Sequence, residues 1–275
     1  MRPPLSRALW VSGLWIALAL AFAAGLRWAP GGDPALALAF LTCYVVELTL
    51  SVDNIAVMLS IFRYFGVPAA DQPRVLIWGV IGAIVMRLLF VAAGAALLQR
   101  FAWTVYVFAA LLIVASIRMA LGSDRGFGGN DSFIVRTVGR VIPISGQLAG
   151  RQFVAVVDGR RVLTPLAMAL VVIEVTDIVF AVDSVPAAFA ITRVAWIVYA
   201  ANMFAVMGLR SMFTVVAGAV DRLRFLDRGL AVILLYVGVT MVTHPWVDVP
   251  TAVTLAVVTG VLALTALLSI LCPTR

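Results

Sequence analysis

Five acidic side chains, Glu47, Asp53, Glu174, Asp177 and Asp183, sit inside long apolar runs of a 275-residue chain that has only thirteen acids. An ionised group at the centre of a bilayer costs about 2.5–3.5 kcal/mol by insertion measurements. Five together require compensation. Such carboxylates pair with a basic group, hold a cation or carry a proton. The basic residues in the same runs are Arg87, Arg118 and Arg210, and Arg118 lies close enough to a segment end to reach the interface. Two central arginines, Arg87 and Arg210, balance part of the charge. The remaining acidic surplus suits a bound cation or carried protons.

Spacing sorts these residues by face. Glu174 and Asp177 are three apart, and the pairs Glu47/Asn54 and Asp177/Ser184 are seven apart, so each pair shares a helical face. Asp53 and Asp183 do not align with them on an unbroken helix. Pro186 has no backbone donor and clashes with the carbonyl of Val182. A helix break near Asp183 is therefore expected, turning its carboxylate inward and freeing backbone carbonyls as ligands. The corresponding stretch around Asp53 has Ile55 and Ala56 in place of Val185 and Pro186, and a plain kink is an equal alternative there. Asn202, in another apolar run, is either a further oxygen ligand or a partner of the backbone. The hydroxyls of Thr49, Ser51 and Thr176 are expected to bond to backbone. Met203 and Met207 share a face beside Asn202 and read as packing.

The donors are almost all oxygen. Zinc and copper favour imidazole or thiolate, whereas carboxylate and carbonyl oxygens suit magnesium, calcium or manganese. The sole histidine, His244, falls at the end of an apolar run and reads as an interface residue. Cys43 and Cys272 form no CxxC pair. There is no phosphate-binding glycine loop, HExxH or serine–histidine pattern, so the chain reads as neither an enzyme nor an ATP-driven pump. An ion gradient is the natural energy source.

The elements that hold these residues are membrane helices. The chain is 64% hydrophobic and 12% charged, against about 45–50% and about 25% in soluble domains. Apolar segments of the length a bilayer needs cover residues 8–27, 35–61, 75–98, 103–122, 164–192, 195–219, 230–246 and 251–271. The first is longer than the apolar core of a signal peptide and reads as a retained helix. All twenty basic residues are arginine, which we attribute to genome composition. With the N-terminus cytoplasmic, fourteen arginines fall on inner segments and three (Arg27, Arg100 and Arg193) on outer ones. This bias places both termini in the cytoplasm. It also accounts for the positive net charge by topology, with no nucleic-acid partner required. The inner arginines include six in the loop 123–163, whose Phe153-to-Leu163 stretch reads as a hairpin with an Asp158-Gly159 turn. That loop is a connector or a regulatory flap.

Glu47-Leu-Thr-Leu-Ser-Val-Asp53-Asn54 repeats as Asp177-Ile-Val-Phe-Ala-Val-Asp183-Ser184, 130 residues later, and Arg87-Leu-Leu-Phe90 resembles Arg210-Ser-Met-Phe213. Each unit holds three helices, so the second copy is inverted relative to the first, an arrangement common in secondary transporters. The expected architecture is an all-α polytopic membrane domain over residues 1–275, with about eight transmembrane helices and two inverted three-helix repeats. It divides into an N-terminal helix 8–27, a first repeat 35–122, the basic cytoplasmic loop 123–163, a second repeat 164–246 and a C-terminal helix 251–271.

The repeated motif, together with Ile173-Glu-Val-Thr-Asp-Ile-Val-Phe-Ala-Val-Asp-Ser-Val-Pro186 and Asn202-Met-Phe-Ala-Val-Met-Gly-Leu-Arg-Ser211, resembles the TerC family and more closely its Alx branch. The likeness runs from about Leu36 past Met241. It implies a bacterial inner-membrane protein of metal homeostasis, with family members linked to manganese export and, by name, to tellurium resistance. Carried over by motif, the expected metal ligands are Glu47, Asp53, Asn54, Glu174, Asp177, Asp183 and Ser184, with Asn202 and Arg210 in the third motif. Alx-like chains usually begin with one further helix bearing an aspartate, so the resemblance implies eight helices here rather than nine. The function expected is export of a divalent cation, Mn2+ first, with proton exchange open. Two alternatives remain: a membrane scaffold that assists assembly or metalation, and a transporter of another cation such as Ca2+.

Overall fold

The computed structural model describes residues 5–121, 152–157, 160–217 and 225–271. Most of the loop 123–163, the Asp158-Gly159 turn, the side chain of Arg210 and Cys272 lie outside the described residues. Within them the chain forms α1 (Leu5–Trp28), α2 (Pro34–Tyr64), α3 (Gln72–Arg100), α4 (Thr104–Ala120), β1 (Val154–Val157), β2 (Arg160–Leu163), α5 (Pro165–Ile191), α6 (Ala195–Val216), α7 (Leu226–Thr243) and α8 (Thr251–Leu271). The two strands pair antiparallel with Val157 opposite Arg160, as the hairpin reading requires.

Local sequence sets the helix starts. Asp33 Oδ1 accepts from the Ala35 N–H at 2.8 Å, and Thr164 Oγ1 accepts from the Ala167 N–H at 3.3 Å. Each cap precedes a proline at the start of its helix, where no backbone donor is needed. Two expectations need correction. Helix α7 begins at Leu226, four residues before the apolar run at 230, because Asp227 sits in its first turn, where the helix dipole favours an acid. Helix α5 runs unbroken through Pro186, so no break turns Asp183 inward. Proline forfeits one backbone bond, and a helix packed among neighbours tolerates that loss.

Among the described residues six helices, α1, α2, α3, α5, α7 and α8, are long and apolar enough to cross a membrane, and α4 and α6 contribute shorter apolar helices. The outward faces carry large apolar side chains such as Leu14, Val85, Leu89 and Leu264, while Trp28, Trp103, Trp196 and Trp246 are exposed at helix ends. Apolar flanks with tryptophan at the rims match a bilayer and its interfaces. Apart from Arg87 and Arg210, the arginines of the described helices lie in or beside terminal turns.

The core is split in two. One apolar cluster joins the first half of α2 (Ala39 to Leu50) to the last turns of α5 (Val185 to Phe189), the start of α6 (Ile197 to Ala205) and Val91 of α3. The other joins the end of α2 (Ile55 to Phe62) to the start of α5 (Leu166 to Ile173), the end of α6 (Leu209 to Val216) and Val75 and Leu76 of α3. Helices α2 and α5 therefore run in opposite directions, as do α3 and α6. Packing follows the same exchange: α2 lies against α6 as α5 lies against α3, and α4 lies against α7.

Helices α4 and α7 are also antiparallel, since Ser116 Oγ donates to the Ala231 carbonyl at 2.8 Å while Gly238 faces Leu112 and Ala109. A Cβ at Gly238 would stand 3.0 Å from Ile113 Cγ1 and 3.2 Å from Leu112 Cβ. Gly238→Val is thus expected to cost about 1–3 kcal/mol through overpacking. The check is the unfolding temperature in detergent, and an unchanged value would contradict this packing.

Candidate functional site

Between the two apolar clusters lies a polar layer at mid-height of α2, α3, α5 and α6. Glu47 is fully buried and Arg87 is 2% exposed, the others being Ser51, Asn54, Thr176, Asp177, Ser184 and Asn202, all buried. Arg87 occupies the centre. Its Nη1 donates to Glu47 Oε2 at 2.5 Å and to Asn202 Oδ1 at 2.5 Å, and its Nη2 lies 3.8 Å from Asp177 Oδ1. Four helices converge on this one guanidinium. Glu47 and Asp177, the matching residues of the two sequence repeats, face it together. Asn202 is held by its own Nδ2, which donates to the Val198 carbonyl at 3.1 Å.

Two carboxylates against one guanidinium leave the pair site with a formal surplus of one negative charge. Oxygen capacity is also left over. Among the described residues, Glu47 Oε1, Asp177 Oδ2, Ser51 Oγ and Ser184 Oγ are buried with no hydrogen-bond partner, as is Arg87 Nε. Buried polar atoms are nearly always satisfied, and the exceptions call for a functional account. Thr49 and Thr176 behave as expected of helical hydroxyls, donating to the carbonyls of Val45 and Val172 at 2.6 and 2.7 Å. Ser51 departs from that expectation. Because Glu47 and Asn54 are seven residues apart, as are Asp177 and Ser184, the polar layer extends about 10 Å along α2 and α5.

The other sequence candidates sit differently. Asp53 and Asp183 are half-buried, on other faces of their unbroken helices, and each carries an interaction of its own. Glu174 is half-buried one turn before Asp177, with its carboxylate pressed against Gly82 of α3. A Cβ at Gly82 would overlap that carboxylate. Sequence reasoning passed over Gly82, although the small residues Gly79, Gly82 and Ala83, with Gly79 and Ala83 four apart, are a signal for close approach on a membrane helix. Among the described residues, no three His, Cys, Asp or Glu side chains converge closely enough to hold a metal ion. In this conformation the arginine, not a third acid, completes the cluster. Met207 is 40% exposed and faces away from it. His244 lies at the end of α7 with its Nε2 3.7 Å from Asp248 Oδ1, both side chains exposed, in keeping with an interface position.

Chemically, the layer can bind a cation through carboxylate, amide and hydroxyl oxygens, and the two apolar clusters close it above and below. Comparison with known proteins places the chain. Residues 32–275 match the family described as Integral membrane protein TerC family. The chain is 41% identical over 264 residues to an uncharacterised membrane protein, STKORF319, of Myxococcus xanthus, covering 96% of this chain and 82% of that protein. It is 39% identical over 263 residues to a protein of Escherichia coli strain K12 provisionally named membrane-bound redox modulator Alx, covering 93% and 82%. The Alx of Photorhabdus laumondii is 38% identical over 269 residues, covering 96% and 84%. No solved structure matches the fold. The chain belongs to the TerC family of integral membrane proteins.

Proposed function

We propose that the chain is a secondary transporter that exports a divalent cation, with Mn2+ as the substrate and protons as the counter-ion. The observation that carries this reading is the Glu47–Arg87–Asp177–Asn202 cluster, buried between two apolar layers and left with unsatisfied oxygens of Glu47 and Asp177. Glu47 and Asp177 are the principal ligands. Asn202, Asn54, Ser51 and Ser184 supply neutral oxygens. Asp53 and Asp183 are further stations above and below, Arg87 and Arg210 balance charge, and Glu174 hands ions to the centre. The opposed runs of α2 and α5 and of α3 and α6 support the inverted-repeat reading, in which one repeat rocks against the other around a midplane site.

The test is flux into proteoliposomes loaded with a metal-sensitive dye, offering Mn2+, Ca2+ and Mg2+ in turn under an imposed pH gradient. Mn2+ uptake that collapses when the proton gradient is removed supports the reading. Uptake of Ca2+ alone moves the substrate to calcium. No uptake of any ion by folded protein replaces transport with a scaffold or metalation role.

Glu174 yields a separate prediction. Gly82→Ala is expected to push the Glu174 carboxylate aside, since only the flexible end of that side chain must move. Flux should fall on the order of tenfold, about 1.4 kcal/mol in the rate-determining step, while thermal stability changes little. Unchanged flux would remove Glu174 from the pathway.

A further inference from the structure

Arg87 has more hydrogen-bonding capacity than its surroundings use. One nitrogen, Nη1, makes both of its short bonds, to Glu47 and Asn202. Nη2 approaches Asp177 only to 3.8 Å, and Nε has no partner. On the facing side, one oxygen each of Glu47 and Asp177 is equally unsatisfied. Arginine–carboxylate pairs frequently close through two parallel bonds. Here Arg87 Nε, Glu47 Oε1 and Asp177 Oδ2 stand in one buried place without pairing with each other.

We propose that Arg87 is the resident counter-cation of the transport site, and that the transported ion and the guanidinium exchange places on Glu47 and Asp177. This inference rests on the transport reading and specifies how its site is controlled. With the guanidinium in place, the carboxylate pair carries a surplus of one negative charge. A divalent ion in its stead neutralises the pair, whereas a monovalent ion leaves the surplus unchanged. The exchange therefore favours divalent ions.

The structure also supplies a place for the displaced guanidinium. A helical side chain leans toward the N-terminus of its helix, and Gly82 lies that way, about 7.5 Å along α3 from Arg87 and about 140° around it, on the flank that meets Glu174 of α5. Against Gly82 lies the Glu174 carboxylate, one turn along α5 from Asp177. Glycine at position 82 lets that carboxylate approach the backbone of α3, the helix that bears Arg87. Arg87 thus has two acidic stations, Glu47 with Asp177 when the ion is absent and Glu174 when it is bound.

The test is Mn2+ binding to the purified chain in nanodiscs, read from the free-ion electron paramagnetic resonance signal, alongside liposome flux. Arg87→Gln removes the competitor and should tighten Mn2+ binding at least tenfold, with flux slowed because nothing displaces the ion. Arg87→Lys keeps the charge and should bind within a few-fold of the native chain. Glu174→Gln removes the second station and should weaken binding about tenfold. Equal or weaker Mn2+ binding by folded Arg87→Gln overturns the exchange. Should Arg87→Gln fail to fold, unchanged affinity in Glu174→Gln overturns it instead. Native flux with an unaltered affinity order would sink the exchange and leave transport standing. The expected affinity order without flux in the native chain would do the reverse.

Discussion

Asp177→Asn and Glu47→Gln are each expected to lower divalent-cation flux by on the order of a hundredfold, the loss of about 3 kcal/mol of ion stabilisation. Both substitutions keep side-chain volume and remove one negative charge from a site with only two. Either change leaves one carboxylate facing Arg87, a neutral pair with no surplus to attract a cation. The amide that replaces the carboxylate also turns one acceptor into a donor, which cannot ligate metal. Asp53→Asn and Asp183→Asn act on half-buried residues outside the Arg87 cluster and should have smaller effects. Initial rates of Mn2+ uptake at matched protein incorporation provide the check. Equal losses at all four positions would mean that the pathway is not centred on the buried pair.

Arg87→Met is expected to destabilise the protein by about 3–5 kcal/mol, the cost of leaving buried charges without their partner. Arg87 links α3 to α2, α5 and α6 through three side chains. Removing it strands two carboxylates in an enclosed layer. Adding Glu47→Gln and Asp177→Asn to the same chain removes the stranded charges and should restore most of the lost stability, although not transport. Denaturant or thermal unfolding in detergent measures both variants. A single variant as stable as the native chain would show that the cluster is open to water. Mn2+ should also raise the unfolding temperature of Arg87→Gln more than that of the native chain, because an ion that binds only the folded state stabilises it.

Several of these features were legible in the residues alone. The apolar runs overlap α1 to α8. The seven-residue spacing of Glu47 and Asn54, and of Asp177 and Ser184, correctly puts each pair on one buried face. What spacing within a helix cannot show is which faces meet. That Arg87 stands between Glu47 and Asp177 depends on how α2, α3, α5 and α6 cross, and the meeting of Asn202 with them depends on the same packing. Pro186 misled because a proline within a packed helix forfeits only one bond, and the rest of α5 holds its course. Gly82 escaped notice because its role lies in what it lacks: room taken by the Glu174 carboxylate belongs to no side chain of its own.

The central claim is that the ion occupies the buried pair of repeat-related acids. Anomalous X-ray diffraction from crystals grown with Mn2+ tests it most directly. The account predicts a single strong peak within coordinating distance of Glu47 and Asp177, with the Arg87 guanidinium turned toward Glu174. A peak at Asp53 or Asp183 with Arg87 still bonded to Glu47, or no peak within the membrane layer, would contradict it.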